Sequence, residues 1–148
     1  MKVNQQFAQI RAVWLWLLLA ALATACAAPS FAVVNQFGLP GSLGGVCAAY
    51  FTIDNSTDQA DVLIGAKSDV ADIVELHAIK SGADGMITME PQAQVDVPAH
   101  SRVEFKPGGL HVMFTNLKRD LKPGDVFQLT LQFRHTGEVT LQVMVKDL

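Results

Sequence analysis

Val126-Phe127-Gln128-Leu129-Thr130-Leu131-Gln132-Phe133-Arg134, then His135-Thr136-Gly137, then Glu138-Val139-Thr140-Leu141-Gln142-Val143-Met144-Val145-Lys146 is the stretch that decides the fold. Phe127, Leu129, Leu131 and Phe133 alternate strictly with polar neighbours, and Val139, Leu141, Val143 and Val145 do the same. A period of two marks a strand with one packed face and one wet face. Three intervening residues ending in glycine predict an antiparallel hairpin. Its eight inward residues are expected to pack on an opposing sheet.

The same reading extends towards the N-terminus. Short apolar runs recur about every ten residues, the spacing of an all-β sandwich or barrel. The expected strands are Phe31–Asn35, Ala48–Asp54, Val62–Ala66, Ile73–Ile79, Gly85–Glu90, Gln94–Val97, Arg102–Phe105 and His111–Asn116, followed by the hairpin. Between them lie turn sequences such as Asn55-Ser56-Thr57-Asp58, Lys106-Pro107-Gly108-Gly109 and Lys122-Pro123-Gly124-Asp125. Ser68–Asp72 offers at most one turn of helix. With no repeat and no linker, one domain is expected.

Residues 1–27 read differently. Lys2 and Arg11 precede 14 apolar or small residues, Ala12 to Ala25, and small residues follow. This is the n-region, h-region and A-x-A pattern of a secretory signal, and it is too short for a membrane span of about 20 residues. Cleavage fits before Cys26 or before Ala28. Cys26 also stands where a lipoprotein cysteine stands. Acylated, it would hold the domain on a membrane surface; without the lipid the product is soluble in the periplasm. Membrane contact is therefore expected only through a lipidated Cys26. The expected mature domain, 28–148, carries nine basic and fourteen acidic residues, a net charge of −5. No basic patch recommends a nucleic acid as partner. Cys47 lies in an apolar strand and reads as a buried core residue.

The chemistry concentrates in two strands. In His111-Val112-Met113-Phe114, the Val and Phe form the natural core pair, which leaves His111 and Met113 together on the outer face or at the open end of the sandwich. In Val74-Glu75-Leu76-His77-Ala78, the inward set is Val74, Leu76 and Ala78, so Glu75 and His77 face out. Met89 follows twelve residues after His77. Two imidazoles with two thioethers form a soft, uncharged donor set. Zinc prefers thiolate, imidazole and carboxylate, and calcium and magnesium prefer oxygen. Monovalent copper is the common ion suited to thioether sulfur. The spacing alone equally allows surface histidines and methionines that merely fill space. His100 and His135, in turns without a nearby thioether, are expected to lie outside any such site.

These residues resemble the metal motif of the periplasmic copper chaperone family PCu(A)C. His77, Met89, His111 and Met113 fall in that family's order, with 11 residues between the first two and 21 between the second and third. Val74-Glu75-Leu76-His77, Gly85 to Pro91, Lys106-Pro107-Gly108-Gly109-Leu110-His111-Val112-Met113 and Ala48 to Asn55 resemble its flanking segments. The similarity covers about residues 46 to 146. It implies a cupredoxin-like Greek-key β-sandwich and one Cu(I) per chain, held by His77, Met89, His111 and Met113. It also implies delivery to a copper acceptor, such as the dinuclear copper centre of cytochrome c oxidase or its assembly factor. Two features depart from the pattern. Ala78 stands where many members have a second methionine. Phe37-Gly38-Leu39-Pro40-Gly41-Ser42-Leu43-Gly44-Gly45 replaces a charged approach and reads as a flexible loop near the site.

No hydrolytic triad, carboxylate pair or H-E-x-x-H motif presents itself, so transfer rather than turnover is expected. The rival reading is a cell-envelope β-sandwich that binds protein and no metal. A blue-copper carrier would need a Cys thiolate beside two histidines, and Cys47 lacks the spacing for it.

Overall fold

A computed structural model describes residues 29–82 and 86–148; the expected signal, with Cys26, lies outside them. Ten strands follow in order: β1 (Phe31–Gly38), β2 (Val46–Asn55), β3 (Asp61–Lys67), β4 (Ala71–Ser81), β5 (Ile87–Pro91), β6 (Val95–Val97), β7 (Ser101–Phe105), β8 (Leu110–Leu117), β9 (Val126–Phe133) and β10 (Gly137–Val145). Each coincides with an expected run. Ser68–Asp72 forms a bend that leads into β4, without a helical turn.

The strands make one hydrogen-bonded sheet in the order β5-β4-β8-β7-β2-β1-β10-β9-β3-β6. Most neighbours are antiparallel; β1 with β10 and β7 with β8 are parallel. The sheet curls so that its two halves face each other as the layers of a sandwich. The β9–β10 hairpin closes through Arg134, His135 and Thr136, with Leu131 opposite Val139 and Leu129 opposite Leu141. Its inward residues are in the core, including Leu129, Leu131 and Val143 with no exposed surface. Phe114 of β8 meets Phe127 of β9 edge-on at 5.4 Å, joining the two layers. Phe51 stacks on Phe105 at 4.3 Å within one of them. Such aromatic pairs add about 0.5–1.5 kcal/mol each beyond area burial. Cys47 is buried among these residues, as expected.

The glycine-rich loop departs from expectation. It is pinned rather than free: it starts near the site, where Leu39 N–H donates to Ala48 O opposite Met113, and its Gly41–Gly45 part runs away from His111. Gly41 and Leu121 exchange backbone hydrogen bonds at 3.0 and 2.8 Å, and Gly44 N–H donates to Leu117 O at 2.7 Å. Leu43 N–H donates to Asp120 Oδ1 at 2.9 Å. Leu117 is six residues beyond His111 on β8, about 20 Å along a strand. Gly41 is required by close approach, since a Cβ there would lie 2.5 Å from Leu117 Cδ1. Gly44, at φ 73°, makes the turn.

At the opposite pole, buried Asp61 ties the start of β3 to the β9–β10 turn. Its carboxylate accepts hydrogen bonds from Val62 N (2.7 Å), His135 N (2.9 Å) and Thr136 N (2.8 Å). The chain enters the sheet at this pole. Ser30 N–H donates to Ser56 Oγ at 2.8 Å, and Phe31 packs edge-on against Phe133 at 4.9 Å.

Candidate metal centre

Cross-strand partners in a sheet share a face. In the β4–β8 ladder His77 is opposite His111 and Glu75 is opposite Met113. In the β4–β5 ladder Ile79 is opposite Met89, two residues along β4 from His77. The alternation of β4 and β8 therefore turns His77, Met89, His111 and Met113 to one face, the outer one. Leu76, Val112 and Phe114 point into the core, with 3%, 0% and 0% exposure.

The two imidazoles are brought together, with ring centroids 5.7 Å apart. Met113 is half-buried beside His111 on the same strand. Met89 is 58% exposed on β5. In register terms the two methionines flank the His pair on opposite diagonals, and diagonal neighbours in a sheet stand roughly 7–8 Å apart. An ion that uses both thioethers needs the β4–β5 hairpin to curl towards His111.

One expectation fails. His111 lies on the outer face but is only 4% exposed. Aromatic residues of neighbouring strands cover it: Tyr50 of β2 stands 6.4 Å from its ring, and Phe37 of β1 stands 5.2 Å from Tyr50. The Lys146 ammonium sits 4.0 Å over Phe37 and caps this row.

Hydrogen bonds select the free nitrogen on each ring. His77 Nε2–H donates to Glu75 Oε2 at 3.3 Å, which leaves Nδ1 with the lone pair. That Nδ1 is buried and has no hydrogen-bond partner. An orphaned buried polar atom costs about 1–3 kcal/mol unless something fills its valence. His111 Nδ1–H donates to Gly109 O at 3.1 Å, leaving Nε2 free. A carboxylate or carbonyl on the far nitrogen is the arrangement that orients metal-ligating histidines. Glu75 and the Gly109 carbonyl were not singled out by sequence reasoning. The readable signal for Glu75 was its spacing of two from His77, which puts both on one strand face.

Among the described residues no group of three or more His, Cys, Asp and Glu side chains is arranged to hold a metal ion. An ion at the His pair that also drew on the thioethers of this face would have a soft, neutral donor set. Cys47 cannot join it. It faces the core opposite Phe114, and burial pushes its thiol up to about 11. A thiolate site of the blue-copper kind is thereby disfavoured. His100 is far from the pair in the chain's turn region, bonded to Asp58 Oδ1 at 2.8 Å, and His135 is exposed in the hairpin turn.

Residues 25–145 match the family described as "Putative lipoprotein LpqE-like". The "Putative lipoprotein Lxx21020" of Leifsonia xyli subsp. xyli is 32% identical over 116 residues, covering 77% of this chain and 69% of that protein. The copper-bound PCuAC domain from PmoF2 superposes with a TM-score of 0.66 at 27% identity, over 82% of this chain and 97% of that domain. The Cu(I) form of DR1885 from Deinococcus radiodurans superposes with a TM-score of 0.60 at 28% identity, over 85% of each chain.

Proposed function

From a chain that belongs to the LpqE-like lipoprotein family and carries the PCuAC copper-chaperone domain, we propose a copper carrier that holds one Cu(I) through His77, Met89, His111 and Met113. The fold is cupredoxin-like and all-β, and the role is copper handling without catalysis. Family membership also makes it an envelope protein, periplasmic and membrane-anchored. In this reading residues 1–27 contain the export signal. Cleavage before Cys26, rather than before Ala28, is the choice compatible with an acylated Cys26.

The observation that carries the reading is the buried, unpartnered Nδ1 of His77, on a ring that stands 5.7 Å from that of His111 across the β4–β8 ladder. Two imidazoles oriented by Glu75 and Gly109, with thioethers on the same face, suit a monovalent soft ion. Neutral thioethers leave the ion without taking up a proton, so ligand exchange with a partner needs no proton transfer at sulfur. The recipient is a copper-acceptor protein of the envelope. The dinuclear copper centre of cytochrome c oxidase, or its assembly factor, is the specific acceptor we propose.

The test is a titration of the exported protein with Cu(I), under reductant, against a coloured Cu(I) chelator. One tight equivalent is expected. No retained copper on a folded protein would overturn the reading and favour the metal-free protein-binding module.

Exchange rates give a finer check. Met89 is exposed and sits on a different strand from His111 and Met113, so it should be the ligand displaced first. Met89→Leu is expected to change the rate of Cu(I) transfer to the chelator several-fold more than Met113→Leu. Equal effects would remove Met89 from that role.

A further inference from the structure

β5 ends the sheet, and among the described residues its outer side pairs with no other strand. The bonds flanking its pairing with β4 reveal which groups face outwards. Gly82 N–H donates to Met86 O and Gln92 N–H donates to Leu76 O, both at 2.7 Å. Bonds at those positions make Ser81:Ile87, Ile79:Met89 and His77:Pro91 the non-hydrogen-bonded pairs of the ladder. The amides and carbonyls of Ile87 and Met89 are therefore turned away from β4, as is the Pro91 carbonyl. They form a row of two donors and three acceptors on the open edge.

Open edges recruit further strands unless charge, proline or covering structure prevents it. β5 has little such protection. Its one charged residue, Glu90, is engaged by Lys80. Pro91 stands only at its end, and Ile87 and Met89 are 71% and 58% exposed. The other end of the sheet, β6, is only three residues long.

We propose that the β5 edge receives an extended segment of the copper acceptor. The segment adds as a further strand and carries soft donors (thioether, imidazole or thiolate) at alternate positions. This rests on Met89 being a copper ligand. An added strand lies about 4.8 Å from β5 and shows alternate side chains on one face. A donor opposite Met89 thus arrives on the copper face and can take that ligand's place at the ion. A second copy of this chain fits less well. Five edge residues with two exposed apolar side chains cover on the order of a few hundred Å² per partner, short of the roughly 800 Å² usual in stable complexes. A small contact suits partners that must separate after transfer.

The probe is a capped seven-residue peptide of alternating threonine and methionine, added to the exported protein with and without Cu(I). A control peptide of the same sequence is N-methylated at alternate residues. Amide hydrogen exchange is read by NMR. Without peptide, Thr88 and Glu90 amides should be protected by β4 while Ile87 and Met89 exchange fast. The peptide is expected to slow Ile87 and Met89 exchange at least about tenfold, and the control is not. Ile87→Pro, which removes an outward N–H, and Ile87→Lys, which adds edge charge, should each weaken peptide binding about tenfold with Cu(I) affinity unchanged. Protection elsewhere, none at all, or protection that grows with protein concentration without peptide would overturn the proposal, the last in favour of a dimer. Protection by the peptide in a protein that binds no copper would retain the edge as a strand-binding site and reject the copper reading alone.

Discussion

Cu(I) affinity is expected to fall by more than about a hundredfold when His111→Ala and Met113→Leu are combined. Disturbing a single outer partner of a metal ligand typically costs 10–100-fold, and this variant removes the two proposed direct donors on β8. His77 and Met89 would remain, with neither the second imidazole nor the nearer thioether. The fold should survive, because Val112 and Phe114 hold β8 in the core and are untouched. The alanine does open space beside Tyr50, so thermal unfolding should be measured with the competition titration. Retained tight binding by the folded double variant would place the ion elsewhere. A Glu75→Gln variant adds a graded arm: it keeps a hydrogen bond to His77 but drops the charge, and about a tenfold loss is expected.

Asp61→Ala is expected to destabilise the domain by about 3 kcal/mol, because it strands up to three backbone N–H groups. The same residue predicts a pH dependence. Burial alone would raise its pKa. Hydrogen bonds from the Thr136 hydroxyl and from the His135, Thr136 and Val62 amides outweigh burial and bring it from 3.8 to about 2. A depressed carboxylate stabilises the fold above its unfolded pKa, and that contribution is lost as pH falls towards the folded value. About 2 kcal/mol should therefore disappear between pH 4 and pH 2. Urea melts of the wild type and Asp61→Asn should differ at pH 7 and converge near pH 2. A difference that persists at low pH would assign the effect to packing instead.

Much of this architecture was legible in the residue order. The strict alternation of Phe127–Phe133 and Val139–Val145 survives because each strand has one buried and one wet face. Turn chemistry then bounds the remaining strands. The site was half legible. A period of two correctly puts His77 and His111 opposite the core face, but it cannot see across strands. Tyr50 and Phe37 come from distant segments, and their cover over His111 depends on the β1–β2–β8 pairing. The diagonal offset of Met89 depends on the β4–β5 register, which spacing along the chain does not set. The glycine-rich loop misled for a similar reason: glycine signals backbone freedom, and here that freedom permits a close approach to Leu117 and a tie to Asp120.

If Cys26 carries the proposed acyl chain, the fixed entry of the chain at Ser30 and Phe31 becomes the inner end of a leash. Five residues from an acylated Cys26 to Phe31 reach at most about 18 Å. From that pole the level of Tyr50 and His111 is five residues up β2 from Asn55, about 17 Å along the strand. The ion would then ride within roughly 35 Å of the lipid surface, on the flank of the molecule rather than its far tip. A carrier so tethered searches for its recipient in two dimensions, sweeping a shallow layer beside the bilayer. Recipients standing in that layer would then meet the His pair side-on, without diffusion through the wider compartment.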